Sequence, residues 1–309
     1  MMGLPLSRNL QQKSTDPDDL RLYFLDNTGN RVLSARSDGS DCTVLVSEQC
    51  TGPDGIAIDA ARGHLYWTNM GESSRNDGFI MRCDLGGHNI TTIVPPGLTH
   101  TPKQIVIEPN GGHLYWCDRE GMRVMRCQLD GSSIETLVQT GYGSFDQADA
   151  RNWCVGVAVD YDRERIYWTQ KGGPKSNTGR ILSAPLNGAR RGESPASRCD
   201  IDTLFSALPE PVDLELDTAS NTLYWTDRGA APFGNTLNRV CLDDRHASGL
   251  QREILRDGFR EVIGLSVHPR RNVVFASDLS GSIYRVPLDG RQASVVLQDA
   301  GRLTGIAAL

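Results

Sequence analysis

Three side chains in this sequence carry amide or carboxyl groups where a repeating pattern otherwise keeps glycine or a small residue. When six similar segments are aligned, Gly55, Gln104, Gly156, Asp213, Gly264 and Gly305 share one position. Ala57, Val106, Ala158, Glu215, Ser266 and Ala307 share another, two residues further on. Gln104, Asp213 and Glu215 break the rule. A carboxylate withdrawn from water without a partner costs on the order of several kcal/mol, so such groups pair with one another and with water, or await a ligand. Desolvation would raise the pKa of Asp213 or Glu215 and suit either to general acid or base chemistry. Lys103, next to Gln104, and Arg302 could hold an anionic or carbonyl oxygen. Lys103, Asp213 and Glu215 are therefore the candidate catalytic residues. Asp54, His100, Gln104, Tyr142, Trp153, Glu210, Arg228, Phe233, Glu261 and Arg302 are the candidate substrate-binding residues. Trp153 is the only tryptophan outside the repeats and would make a flat wall for an aromatic or terpenoid ligand.

The elements that must position these groups follow from the repeats themselves. Leu65-Tyr66-Trp67-Thr68-Asn69 recurs as Leu114-Tyr115-Trp116-Cys117-Asp118, Ile166-Tyr167-Trp168-Thr169-Gln170 and Leu223-Tyr224-Trp225-Thr226-Asp227. Weaker copies are Leu22-Tyr23-Phe24-Leu25-Asp26 and Val274-Phe275-Ala276-Ser277-Asp278. The aromatic anchors Phe24, Trp67, Trp116, Trp168, Trp225 and Phe275 lie 43, 49, 52, 57 and 50 residues apart, the length of one four-stranded propeller blade. Each repeat opens with a short β-branched run such as Gly55-Ile56-Ala57-Ile58-Asp59, followed by a turn, the Tyr-Trp strand and two further strands. The sequence thus predicts an all-β, six-bladed β-propeller of four-stranded antiparallel blades. The first blade lacks an inner strand of its own, and Thr304-Gly305-Ile306-Ala307-Ala308-Leu309 matches the inner strand of the second. The C-terminal strand is therefore expected to close blade 1 and leave no open edge. Residues 21–309 form the propeller, with residues 1–20 as a flexible extension.

Composition narrows the function classes. Apolar residues at 39% and charged residues at 23% describe a globular chain. A net charge of −6 argues against nucleic acid as a partner. No stretch has the length and apolarity of a membrane span, and residues 1–20 lack a signal-peptide core, so a cytoplasmic protein without a membrane partner is expected. The 8 cysteines include no CxxC pair, and Cys83 and Cys127 read as small buried side chains rather than metal ligands. No nucleotide-binding fingerprint stands in a plausible setting, so neither a metal nor a cofactor is expected. His64 and His113 read as turn residues at the face opposite the site, and Asp118 and Asp227 as structural.

The Tyr-Trp-Thr-Asp repeats, with inner strands such as Pro53-Asp54-Gly55-Ile56-Ala57-Ile58-Asp59, resemble the class B repeats of the low-density-lipoprotein-receptor family over nearly the whole chain, from Leu22 to Leu309. No cysteine-rich growth-factor-like module flanks them, and the chain is more similar to single-domain microbial propellers of this kind. Three second-to-third-strand loops are long, residues 68–78, 169–179 and 226–236, as is the connection 139–153, and all reach one face. A cofactor-free enzyme acting on a small organic molecule by addition, cyclisation or isomerisation, a hetero-Diels–Alder closure included, is the leading expectation. The resemblance implies a protein- or peptide-binding module as the alternative, with Phe145, Trp153 and Phe233 as anchors. A metal-dependent lactonase, with calcium held by Asp213, Glu215 and Gln104, is the third.

Overall fold

The structure is a computed structural model that describes residues 20–72, 75–108, 112–187, 194–244 and 249–309. The flexible extension expected at 1–20 lies, apart from Leu20, outside the described residues. Six four-stranded antiparallel sheets stand in a ring, as the repeats predict. The inner strands of blades 1 to 6 are Leu303–Ala308, Pro53–Asp59, Pro102–Glu108, Cys154–Asp160, Pro211–Asp217 and Val262–His268, each packed against the next around a central channel. Blade 1 takes its inner strand from the C-terminus. Leu22 pairs with Ala308 and Phe24 with Ile306, and Arg21 and Leu309 exchange both backbone hydrogen bonds at 2.8 and 2.9 Å.

The Tyr-Trp pair explains how flat sheets stack. The tryptophan of one blade shares a core cluster with the tyrosine of the blade before it: Trp116 with Tyr66, Trp168 with Tyr115, Trp225 with Tyr167. These rings are buried, and each cluster drives adhesion between neighbours. Blade 6 departs from the expected anchor set. Its Phe275 pairs with Ser266 in the tyrosine place and packs with Phe24 of blade 1. Ala276 therefore stands where the other blades have tryptophan or phenylalanine. Phe259 and Tyr284, edge-to-face at 5.0 Å, share the cluster around Ala276.

The remaining motif residues organise the channel. In blades 2 to 6 the register between inner and second strands shifts between the first and fourth inner-strand residues, for example between Pro53 and Ile56, and blade 1 does the same from Leu303 to Ile306. Two inner-strand residues thus oppose one residue of the partner, which is a β-bulge. The motif threonine fills it. Thr68 Oγ1 accepts from Gly55 N and donates to Lys103 O of the next blade, both at 2.8 Å. Thr169 and Thr226 repeat this stitch toward Val212 and Ile263. Glycine suits the bulge because a Cβ on Gly55 would lie 2.6 Å from Lys103 O. The motif aspartates cap the chain entering the inner strand of their own blade: Asp118 accepts from His100 N and Thr101 N, and Asp227 from Glu210 N and also from Gly229 N. Cys83 and Cys127 are buried between blades and form no disulfide.

Candidate functional site

The bulge re-aims the second residue of each inner strand, so that six side chains ring the upper channel: Thr304, Asp54, Lys103, Val155, Val212 and Ile263. They divide into two halves. Val155, Val212 and Ile263 form a small buried apolar cluster on the side of blades 4 to 6. Thr304, Asp54 and Lys103 make a polar half on blades 1 to 3, and over it opens a cavity of about 280 Å³. Lys103 Nζ lies 2.6 Å from Asp54 Oδ1 and 3.1 Å from Met70 Sδ. Gln104 Nε2 donates to Asp54 Oδ2 at 3.2 Å from below. Burial lowers the pKa of Lys103, and Asp54 restores only part of it.

Four cations line this cavity, Lys103, Arg119, Arg228 and Arg302, against two carboxylates, Asp54 and Glu120. Arg119 is paired with Glu120 at 2.5 Å, and Arg228 with the buried Glu210 at 3.2 Å. Glu210 also receives Lys171 at 3.0 Å. Arg302 is exposed at the mouth, and its guanidinium has no partner among the described residues. The mouth is thus electropositive in a chain of net charge −6. Such an arrangement can bind a carboxylate or polarise a carbonyl oxygen through forked guanidinium contacts.

The structure divides the candidate residues. Asp54, Lys103, Arg228 and Arg302 meet in the upper cavity, with Glu210 behind Arg228. Glu261 lies beside it in a shallow hollow that Arg302 also lines, 3.8 Å from Arg228. Asp213 and Glu215, expected to share a site with Lys103, instead line a separate cavity of about 200 Å³ in the lower channel, with Gln104 at the boundary. The carboxyl of Asp213 bridges to blade 6, accepting from Leu265 N at 3.0 Å while also accepting from Leu214 N at 2.9 Å. Each Asp213 oxygen thus serves one backbone donor. Among the described residues no group of three His, Cys, Asp or Glu side chains could hold a metal ion.

Four aromatic or imidazole candidates also lie elsewhere. Trp153 does not line the upper cavity. Its indole donates to Gln147 O at 2.8 Å, and Arg119 and Lys171 stand over its ring at 5.1 and 5.4 Å. His100 faces Thr101 and Gln147. Tyr142 and Phe233, 64% and 57% exposed, are surface residues outside the cavity, Phe233 beneath Arg252. Arg119, Glu120, Asn27, Met70 and Thr101 were not singled out, although a signal existed. The residue immediately after each motif copy is Asn27, Met70, Arg119, Lys171, Arg228 or Leu279, and all but Lys171 line the upper cavity.

No family model matches the chain. It is 43% identical over 95% of its length to a protein of Pyricularia oryzae named low-density lipoprotein receptor-related protein 1, covering 99% of that protein. It is 39% identical over 98% of its length to the 3-hydroxyacyl-CoA dehydrogenase-like protein LAM1 of Cochliobolus heterostrophus, and spans 67% of it. Among solved structures, the nidogen/laminin complex contains a chain that superposes with a TM-score of 0.74 at 18% identity, over 94% of this chain and 98% of that one, a likeness of fold. Among the described residues no helix is long and apolar enough to cross a membrane.

Proposed function

This chain belongs to the low-density-lipoprotein-receptor-related propeller family, and on that scaffold we propose that the upper cavity binds a small organic anion and acts on it by positioning and acid–base chemistry. The excess of cations in the cavity, with Arg302 uncommitted at its mouth, carries this reading. The walls are more polar than a terpenoid pocket needs, so the substrate class is an oxygen-rich carboxylate or carbonyl compound rather than a hydrocarbon. In this reading Arg302 and Arg119 take the anionic group. Lys103, whose proton is loosened by burial and steadied by Asp54, donates to or accepts from the reacting oxygen. Addition, cyclisation or isomerisation fits such a site, because alignment and stabilisation of charge on one oxygen suffice. Thermal melts with a panel of small organic acids and their methyl esters test it. The acids should raise the melting temperature and the esters should not, and Arg302→Ala should lose the effect. Equal effects of acid and ester would end this reading.

A second reading rests on a separate surface. Phe145 is 90% exposed on the 139–153 connection and lines, with Ala148 and Pro174, an open groove above blade 4. An exposed aromatic of this size next to Tyr142 suits an apolar protein or peptide anchor, in keeping with the receptor-related names. Phe145→Asp should then abolish retention of a partner from cell extract while leaving the response to organic acids intact.

A further inference from the structure

The lower channel holds a second cavity whose chemistry is the reverse of the first. About 200 Å³ in volume, it is lined by aliphatic residues, among them Ile56, Ile58, Ile107 and Ile306, together with Gln104, Asp213, Glu215, Ser266 and His268, and among the described residues no lysine or arginine lines it. Its polar groups can be accounted for one at a time. Asp213 places both oxygens on backbone N–H groups. Gln104 turns its amide nitrogen away to Asp54. Ser266 Oγ and His268 Nε2 lie 3.2 Å apart and engage each other, and burial, with help from Arg271, lowers the pKa of the imidazole. Glu215 accepts from Val267 N through Oε2 at 2.5 Å, and its other oxygen has no partner among the described residues. The second oxygen of Glu215 and the amide oxygen of Gln104 are therefore the side-chain acceptors left over, in a chamber that no lysine or arginine lines among the described residues.

We infer that this lower cavity is a second ligand site, taking a small aliphatic amine with its nitrogen on the free oxygen of Glu215 and its alkyl chain against the isoleucines. An anion is excluded because no positive side chain lines the cavity to meet it. An alcohol would satisfy the oxygen but gain only a neutral hydrogen bond. An amine makes a charge-assisted one, which is about twice as strong. When a free amine enters, the carboxyl proton passes to its nitrogen and the two remain as an ion pair. When an ammonium ion enters, that proton leaves to solvent. Burial and the neighbouring Asp213 hold the Glu215 carboxyl protonated up to about 8, so binding near neutral pH should be accompanied by proton release. The inference is independent of the upper cavity and of the function proposed for it.

Isothermal titration of the full chain with n-hexylamine, 1-hexanol and hexanoate tests this. Hexylamine should bind saturably at one site, at least roughly tenfold tighter than hexanol (about 1.4 kcal/mol), and saturating hexanoate should not displace it. Titrations in two buffers of different ionisation enthalpy should reveal the released proton. Glu215→Gln keeps an acceptor for Val267 N and should weaken hexylamine binding at least tenfold without changing the weak binding of hexanol. No saturable amine binding, equal amine and alcohol affinity, or full amine affinity in Glu215→Gln would each overturn the inference. If Glu215→Gln fails to fold, the amine-to-alcohol ratio of the wild-type chain decides alone.

Discussion

Lys103 and Asp54 sit almost wholly out of water, and each is tolerable only because of the other. Removing one partner of such a pair leaves an uncompensated buried charge, whereas removing both together is far milder. Asp54→Ala should therefore cost about 3 kcal/mol or more, and the double variant Asp54→Ala/Lys103→Met should regain most of it, as read by urea unfolding. Asp213 and Glu215 lead to a pH prediction. Burial pushes both up to about 8, and in Glu215 the Asp213 charge adds to the effect. The unfolded chain gives up the same protons near pH 4. Between those values the folded state binds more protons than the unfolded one, so these groups make stability fall as pH rises through the window and level off above it. Thermal melts from pH 5 to pH 9 should show this fall, and Glu215→Gln should flatten part of it. The polar character of these residues was legible in the sequence because they break a rule of small side chains. Their division between two cavities was not. The alignment gives the level of a residue along its strand, while the bulge and the backbone donors of blade 6 decide where its side chain goes.

At the scale of the strand and its neighbour, the motif threonine is the piece whose role was hidden. Tyr-Trp recurrence announced blades, because large aromatics at blade-length spacing have few other uses. Why threonine follows them becomes clear only when the bulge is seen. Its hydroxyl replaces the ladder hydrogen bond that the bulge removes, and ties two blades together in doing so. In blade 5, Thr226 Oγ1 accepts from Asp213 N and donates to Ile263 O. Thr226→Val keeps the shape but leaves a buried donor and a buried acceptor unpaired, which should cost about 2 kcal/mol. Thr226→Ser should cost much less, and the difference between the two in urea unfolding measures the stitch. Blade 6 marks the limit of pattern reading. Its Phe275 is aromatic but sits one place early, and the space left by Ala276 is taken up by Phe259 and Tyr284 from outside the motif. Packing conserves volume across the cluster, and no single position has to supply it.

At the scale of the whole molecule, the ring is held shut by one strand from the far end of the chain. Leu303 and Ile306 share a core cluster with Phe24 and Phe275, so the closing strand joins blade 1 to blade 6 as well as completing blade 1. Without it, Arg21–Asp26 would present an open row of backbone donors and acceptors, and an exposed edge of that kind pairs with other chains. The loss would also reach both cavities. Thr304 lines the upper one and bonds Pro53 O at 3.0 Å, and Ile306, Ala307 and Ala308 line the lower one. A chain ending at Arg302 should therefore elute as aggregates on gel filtration and lose its cooperative thermal transition, and adding residues 303–309 as a separate peptide should recover part of the monomer. A truncated chain that stayed monomeric and melted like the full one would mean that the blades hold one another without closure. In that case the aromatic clusters between blades, which repeat around the ring, would have to supply the stability alone. The closing strand would then matter to the cavities and not to the fold.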